Sequence, residues 1–112
     1  MTDDELVDAL KALAHPVRLR IMQALSGAER NVGEIDAAAD IGQPTLSQQL
    51  AVLRNAGLVK TRKDAKLVYY RIDDSRLAKV ARATGALGGL SAAPLRQSRQ
   101  PAPGVANFAK LA

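Results

Sequence analysis

The fold is decided by the stretch QPTLSQQLAVLRNAG, which occupies residues 43–57. Three leucines recur in it at positions i, i+4 and i+7 and would share one face of a helix: Leu46, Leu50 and Leu53. Pro44 suits the first helical turn, where its missing N–H is no loss, and Gly57 suits the left-handed residue just past a helix end. The stretch therefore predicts an amphipathic helix.

The face opposite the leucines is polar but carries no charge. Gln48 falls nearly opposite them at about 100° per residue, with Thr45 and Ser47 on its flanks. These side chains can both donate and accept hydrogen bonds, whereas a solvated helix normally carries Glu and Lys. Such a face is what a helix needs to meet base edges in the major groove of DNA. A polar surface helix in any small domain is the alternative.

Composition sets limits on the fold and on the partner. The chain of 112 residues is long enough for one domain, and 47% apolar residues with only 3% aromatics favour helices packed on a small sheet. A core of this size is marginal alone, so burial in a dimer would help. The net charge of +5 favours an anionic partner such as nucleic acid, although many basic proteins bind none.

Several classes of site are not expected. The chain has no cysteine, which excludes disulfides, thiolate metal sites and cysteine redox chemistry. The start, residues 1–5, is acidic and unlike a signal peptide, and no apolar run approaches the ~18 residues of a membrane span. We therefore expect a cytoplasmic protein that does not enter a membrane.

Two helices are predicted ahead of a short third one. Residues 3–14 form the first helix, with leucines at i, i+4 and i+7: Leu6, Leu10 and Leu13. Residues 17–26 form the second, with its core face at Leu19, Met22 and Leu25, and Gly27 ends it.

The third helix and the turn after it complete a helix-turn-helix. Asn31 is expected to cap the third helix with Glu34 as its capping-box partner and Ile35 buried. Residues 40–42 then make the turn into the stretch 43–57.

After Gly57 the pattern changes to the alternation typical of strands. Residues 58–63 and 67–72 form a predicted hairpin around residues 64–66. Between positions 54 and 71, only Asp64 opposes a set of six basic residues: Arg54, Lys60, Arg62, Lys63, Lys66 and Arg71. A hairpin of this charge placed after a helix-turn-helix is a wing that lies along a phosphate backbone. A solvated hairpin that protects its edge with Lys and Arg is the alternative.

A last helix and a tail close the chain. Asp73 or Asp74 can cap the helix, which ends at Gly85 or at residues 88–89 and carries Leu77, Val80 and Thr84 on one face. Together with the leucines of the first helix, this face predicts an intersubunit bundle. We predict one domain over residues 1–88 and a basic, flexible tail rich in Pro, Ala and Gly over 89–112, with a short amphipathic turn at 105–111.

Four ordered motifs resemble the ArsR (SmtB/ArsR) family of bacterial winged-helix repressors: LAHPVRLRIM at 13–22, GQPTLSQQLAVLR at 42–54, AGLV at 56–59 and TRKDAKLVYY at 61–70. The resemblance covers about residues 5–87. It implies a homodimer joined by its first and last helices on an inverted-repeat operator. It also implies that one set of residues enters the groove, Gln43, Thr45, Ser47, Gln48 and Gln49, and that Arg62, Lys63 and Lys66 form the wing.

The sensing chemistry of the family is missing from this chain. The motifs are most similar to the branch of the sulfide and persulfide sensors BigR and SqrR, and to the nodulation regulator NolR. Gln23 stands near the place where the sulfur sensors carry a cysteine, and the last helix supplies none, so a dithiol switch is impossible. Metal-sensing members place cysteines where this chain has VGEID at 32–36, or use His and Asp across their last helices, where it has no His. The inducer cannot be inferred.

Nothing else in the sequence favours catalysis or a cofactor. His15 is the only histidine, and a His beside a Pro at a helix junction is far more often a packed or capping residue than a ligand. Tyr69 and Tyr70 are expected to pack in the core or the dimer. We predict a mainly α fold with one β-hairpin, without metal, cofactor or enzymatic activity, which acts as a sequence-specific repressor on double-stranded DNA. A low-specificity nucleoid-like protein and a protein-docking winged helix are the alternatives.

Overall fold

The computed structural model describes residues 1–90, which form five helices and a three-stranded sheet. The elements follow the chain in this order: α1 (Asp3–Leu13), α2 (Pro16–Ala24), β1 (Arg30–Asn31), α3 (Val32–Ala39), α4 (Thr45–Asn55), β2 (Val59–Asp64), β3 (Leu67–Ile72) and α5 (Asp74–Leu87). The prediction of a mainly α fold with a hairpin after the helix-turn-helix is confirmed. No helix within residues 1–90 combines the length and the apolarity needed to span a bilayer.

The polar caps predicted from sequence are present at the helix starts. Asn31 and Glu34 form the capping box of α3, with each side chain 2.9 Å from the other residue's backbone nitrogen. Asp73 caps α5 by accepting from the Arg76 N–H at 3.1 Å. His15 caps α2, since its Nδ1 accepts from the Val17 N–H at 3.1 Å. Each cap satisfies a donor that has no partner inside its helix.

Helix α4 is seated on the core by the three leucines that defined it in the sequence. Leu46, Leu50 and Leu53 are each at most 1% exposed. The helix begins one residue later than predicted, because Pro44 is the residue before it and not part of its first turn. At the other end Gly57 has φ 77°, and the Leu58 N–H donates to the Leu53 carbonyl at 3.0 Å. This backbone conformation favours glycine and stops the helix.

The predicted core face of α2 is wrong at one position. Ile21, Met22 and Leu25 are buried, but Leu19 remains 47% exposed. Three residues advance a helix by about 300°, so Leu19 and Leu25 lie about 120° apart, whereas Ile21 is only about 40° from Leu25. Residues spaced at i, i+3 and i+6 therefore do not all face the core.

The hairpin is joined by a strand that the sequence did not predict. The sheet order is β1-β3-β2, and β1 pairs Arg30 with Tyr70 and Asn31 with Tyr69. Strands β2 and β3 pair from Val59 opposite Ile72 to Asp64 opposite Leu67, so the hairpin ends within one residue of its predicted bounds. A two-residue strand is too short to show alternation, which is why pattern analysis missed it.

The core contains only aliphatic residues and methionine. Its fully enclosed large side chains come from α2 and the residue after it, from α3, from α4 and from the residue before β2: Ile21, Leu25, Ile35, Leu46, Leu50, Leu53 and Leu58. Tyr70 and Ile72 pack against this core from the sheet, as predicted for Tyr70. The hairpin is thereby attached to the end of α4, with its tip outside the core.

Candidate nucleic-acid interface

The face of α4 that the sequence assigned to DNA lies at the surface. Thr45, Ser47 and Gln48 are exposed, and so is Gln43, which lies in the turn before the helix. The Ser47 hydroxyl donates to the Gln43 side-chain oxygen at 2.7 Å. The face thus presents hydroxyl and amide groups without a charge, on a helix whose opposite side is held by leucines.

Gln49 is the fifth residue predicted to enter the groove, and it differs from the other four in its exposure. It is only partly exposed, and its Oε1 accepts a hydrogen bond from Arg18 Nη1 at 2.7 Å. This contact was not predicted from the sequence, because Arg18 lies 31 positions earlier in the chain.

The tip of the hairpin carries two exposed cations. Lys66 lies in the turn next to Ala65, which has φ 59°, and Lys63 is the second-last residue of β2. Neither lysine forms an ion pair within residues 1–90, whereas Lys60 lies 4.0 Å from the Asp73 carboxylate. Arg54 is exposed in the last turn of α4. The tip of the hairpin and the end of α4 therefore each carry positive charge that no acidic side chain of residues 1–90 balances.

Arg62 is held by an acidic partner that the sequence did not predict. Its Nη2 lies 2.8 Å from Glu29 Oε1, and its Nε lies 2.9 Å from both carboxylate oxygens. The guanidinium also lies 4.8 Å from the centroid of the Tyr69 ring, which faces it across the hairpin. The hydrogen bond from Arg62 lowers the pKa of the Glu29 carboxyl below its ordinary value. Arg62 Nη1 also lies 3.8 Å from the Asp64 carboxylate, so a phosphate would compete with two acids for this guanidinium.

Because Glu29 is paired with Arg62, we expect Glu29→Gln to strengthen DNA binding. Removing this acid leaves Arg62 only the longer contact with Asp64 at 3.8 Å, so its charge becomes more available to phosphate. We expect a several-fold gain in affinity and a salt slope steeper by at most about one unit. Fluorescence anisotropy at several salt concentrations measures both. Asp4→Asn on α1 removes one negative charge elsewhere and should leave both nearly unchanged. Equal effects of the two variants would show that only net charge matters.

The contribution of the Arg62–Glu29 pair to stability depends on pH. Because the pKa of Glu29 is lower in the folded protein than in the unfolded chain, its contribution to stability is present at neutral pH. That contribution is lost as the pH falls through the lowered pKa.

The helices predicted to form a dimer each expose large apolar side chains. Leu10 is 36% exposed, and so are two residues that sequence analysis did not select, Val7 at 45% and Leu87 at 84%. Leu6, Leu13 and Leu77 are partly buried against the chain's own core, and Thr84 donates to the Val80 carbonyl at 2.9 Å. Val80 is only 3% exposed, so we correct its assignment: it belongs to the core and has almost no surface to offer a partner.

The described residues contain no arrangement suited to metal binding. No three His, Asp or Glu side chains within residues 1–90 come together as a metal site. His15 uses its Nδ1 in the cap of α2. The residues of the candidate interface can therefore recognise a partner through hydrogen bonds and charge.

Fold and surface together define the class: the chain is a DNA-binding transcriptional regulator of the winged helix-turn-helix type. The chain belongs to the ArsR family of bacterial regulatory proteins, whose model matches residues 15–61. The family resemblance inferred from the four sequence motifs is thus confirmed.

Individual relatives agree with this assignment. The chain is 48% identical over 83 residues to the biofilm growth-associated repressor of Agrobacterium fabrum, a match that covers 74% of this chain and 71% of that protein. It superposes on the repressor BigR from Xylella fastidiosa with a TM-score of 0.62 and 43% identity, over 75% of this chain and 86% of BigR. A homodimeric winged helix-turn-helix DNA-binding domain from Mycobacterium bovis gives a TM-score of 0.64 at 29% identity, over 79% of this chain and 88% of that domain. The first two relatives are named as repressors and the third as a DNA-binding domain.

Proposed function

We propose that the chain is a homodimeric repressor that binds an inverted-repeat operator in double-stranded DNA. The observation that carries this proposal is the uncharged, exposed face of α4, which is followed in the chain by a hairpin with a cationic tip. Uncharged donors and acceptors suit base edges, whereas lysines suit phosphates. The repressor role is supported by the names of the relatives from Agrobacterium fabrum and Xylella fastidiosa.

Within this proposal the two surfaces have different tasks. The outer residues of α4 contact bases in the major groove, and we assign this task to Thr45, Ser47 and Gln48, with Gln43 at the entry of the helix. Lys63 and Lys66 at the hairpin tip contact phosphates, as does Arg54 at the end of α4. Arg62 is assigned a smaller part than the sequence suggested, because Glu29 already balances its charge.

A dimer is proposed because two copies of α4 are needed to contact two half-sites. The exposed apolar side chains on α1 and α5 are candidates to be covered by a second copy: Val7, Leu10 and Leu87. A two-fold dimer places its recognition helices about one helical turn of DNA apart, and the operator repeats with the same symmetry. The homodimeric domain from Mycobacterium bovis supports this assembly.

The domain boundary remains part of the proposal. We assign DNA binding and dimerisation to residues 1–88. Residues 91–112, which include the predicted short turn at 105–111 and the basic residues Arg96, Arg99 and Lys110, lie outside the described residues.

Gln48→Ala and Lys63→Ala should affect DNA binding in different ways. Gln48→Ala removes a base contact. We therefore expect it to reduce the discrimination between bases at one position of each half-site by about 1–3 kcal/mol. Lys63→Ala removes a phosphate contact, so it should weaken all sequences alike and reduce the salt slope by about one. Anisotropy titrations with the operator and with point-substituted duplexes measure both effects.

The result that contradicts this division of tasks is identical behaviour of the two variants. A specificity ratio near one for the unaltered protein, measured on a genomic library, would favour the nucleoid-like alternative. Failure to retain any DNA at moderate salt would favour the protein-docking alternative.

A further inference from the structure

A single arginine links the end of α1 to the recognition helix. Arg18 on α2 is partly buried, and its Nε donates to the Ala12 carbonyl at 2.6 Å. Its Nη2 lies 3.3 Å from the Lys11 carbonyl, and its Nη1 donates to Gln49 Oε1 at 2.7 Å. One guanidinium therefore connects three helices through its planar set of donors.

The end of α1 holds this guanidinium in place independently of Gln49. Ala12 and Lys11 lie in the last turn of α1, where backbone carbonyls have no partner inside the helix. Two of the three acceptors of Arg18 are these carbonyls, so its position is set by the backbone of α1. Gln49 is then the side chain that adapts to Arg18.

The chemistry of the contact fixes which end of the Gln49 amide faces Arg18. Arginine has donors and no acceptor, so the atom 2.7 Å from it must be the amide oxygen. The NH₂ group occupies the other end of the same planar amide and is turned away from Arg18. Gln49 lies one turn after Thr45 and next to Gln48, both exposed, so its amide sits at the border of the exposed face.

We propose that Arg18 is a positioning residue that makes Gln49 a donor toward DNA. The inference rests on the proposed function, because it requires α4 to enter the major groove. A freely rotating glutamine favours adenine by pairing its oxygen with N6 and its NH₂ with N7. With its oxygen held by Arg18, Gln49 offers N–H donors and favours a base that presents acceptors, namely guanine O6 and N7 or thymine O4.

The structure provides a matched control for Arg18. Arg20 lies two positions later in the same helix, and its Nη2 donates to the carbonyls of Ala39 and Asp40 at 2.9 and 3.2 Å. Arg20 thus also caps the end of a helix, in this case α3, but has no hydrogen bond to α4. Arg18→Lys and Arg20→Lys make the same chemical change. Only Arg18→Lys removes a guanidinium that is hydrogen-bonded to Gln49.

The experiment is selection from a randomised duplex library by the full chain, followed by affinity titrations on single-base variants of the enriched site. For the unaltered protein we expect adenine to be disfavoured about tenfold at one position of each half-site. Arg18→Lys should reduce that discrimination to about threefold or less and leave the other positions unchanged. Arg20→Lys should leave every position unchanged. In a Gln49→Ala background the discrimination is absent, and adding Arg18→Lys should change nothing further.

The outcomes separate this inference from the function on which it rests. If the unaltered protein enriches no inverted repeat, the proposed function fails and the inference fails with it. If it enriches a site and Arg18→Lys leaves all base preferences intact, only the inference is overturned. A uniform loss at every position, with a melting temperature lowered equally by Arg18→Lys and Arg20→Lys, would identify Arg18 as a structural cap and would also overturn it.

Discussion

The double variant Val7→Asp, Leu10→Asp should be a folded monomer with operator affinity lowered about 100-fold or more. Both residues are exposed in the protomer, at 45% and 36%, so the carboxylates stay in water when the chain is alone. In a dimer they would be buried without a partner, which opposes association. A monomer contacts one half-site and loses the gain of about 10²–10⁴ that linkage of two sites provides.

Analytical ultracentrifugation and anisotropy on the operator measure this prediction, with circular dichroism to verify the fold. Leu19→Asp is the matched control, because Leu19 is a similarly exposed leucine at 47% on α2, outside the predicted dimer face. Its sedimentation should equal that of the unaltered protein. A dimer that survives the double variant with full operator affinity would place the interface elsewhere.

Leu50→Ala should lower the free energy of unfolding by about 2–5 kcal/mol, the usual cost of a cavity left by a buried leucine. Leu50 is 1% exposed and lies in the centre of the leucine row that holds α4 on the core. A loss of this size lowers the melting temperature of a domain of about 100 residues by roughly 10 °C or more. Thermal and urea unfolding at one fixed protein concentration measure the change, since dimer formation contributes to apparent stability.

Val52→Ala is the control for Leu50→Ala. Val52 lies two residues later on the same helix and is 39% exposed, so its truncation leaves no enclosed cavity. We expect a change within about 1 kcal/mol. Equal losses for the two variants would mean that α4 is not anchored by its leucine face.

The parts of the fold that sequence analysis predicted correctly depend on local signals. The leucines of α4 repeat with the period of a helix, and Leu46, Leu50 and Leu53 are enclosed as that period requires. The capping box of Asn31 and Glu34 spans only three positions. The hairpin follows from alternation over short runs on both sides of a turn. Each of these signals is complete within one stretch of the chain.

The features that sequence analysis missed depend on contacts between distant residues. The Arg18–Gln49 and Arg62–Glu29 pairs are separated by 31 and 33 positions. A count of basic residues predicts a cationic hairpin, but it cannot show that Glu29 balances one of those charges. The burial of Val80 likewise depends on how α5 packs on the rest of the chain, and its spacing from Leu77 does not determine it.

We propose that the uncharged face of α4 enters the groove while the hairpin tip lies along the backbone. Because the chain has no cysteine, a single introduced cysteine gives one defined point for a tethered DNA-cleaving iron chelate. With the chelate at Ser47→Cys, we expect cuts inside both halves of the enriched inverted repeat, about one helical turn apart. With it at Lys66→Cys, the cuts should fall at the flanks of the half-sites. Cuts from position 47 only outside the repeat, or from neither position, would show that α4 does not lie in the groove.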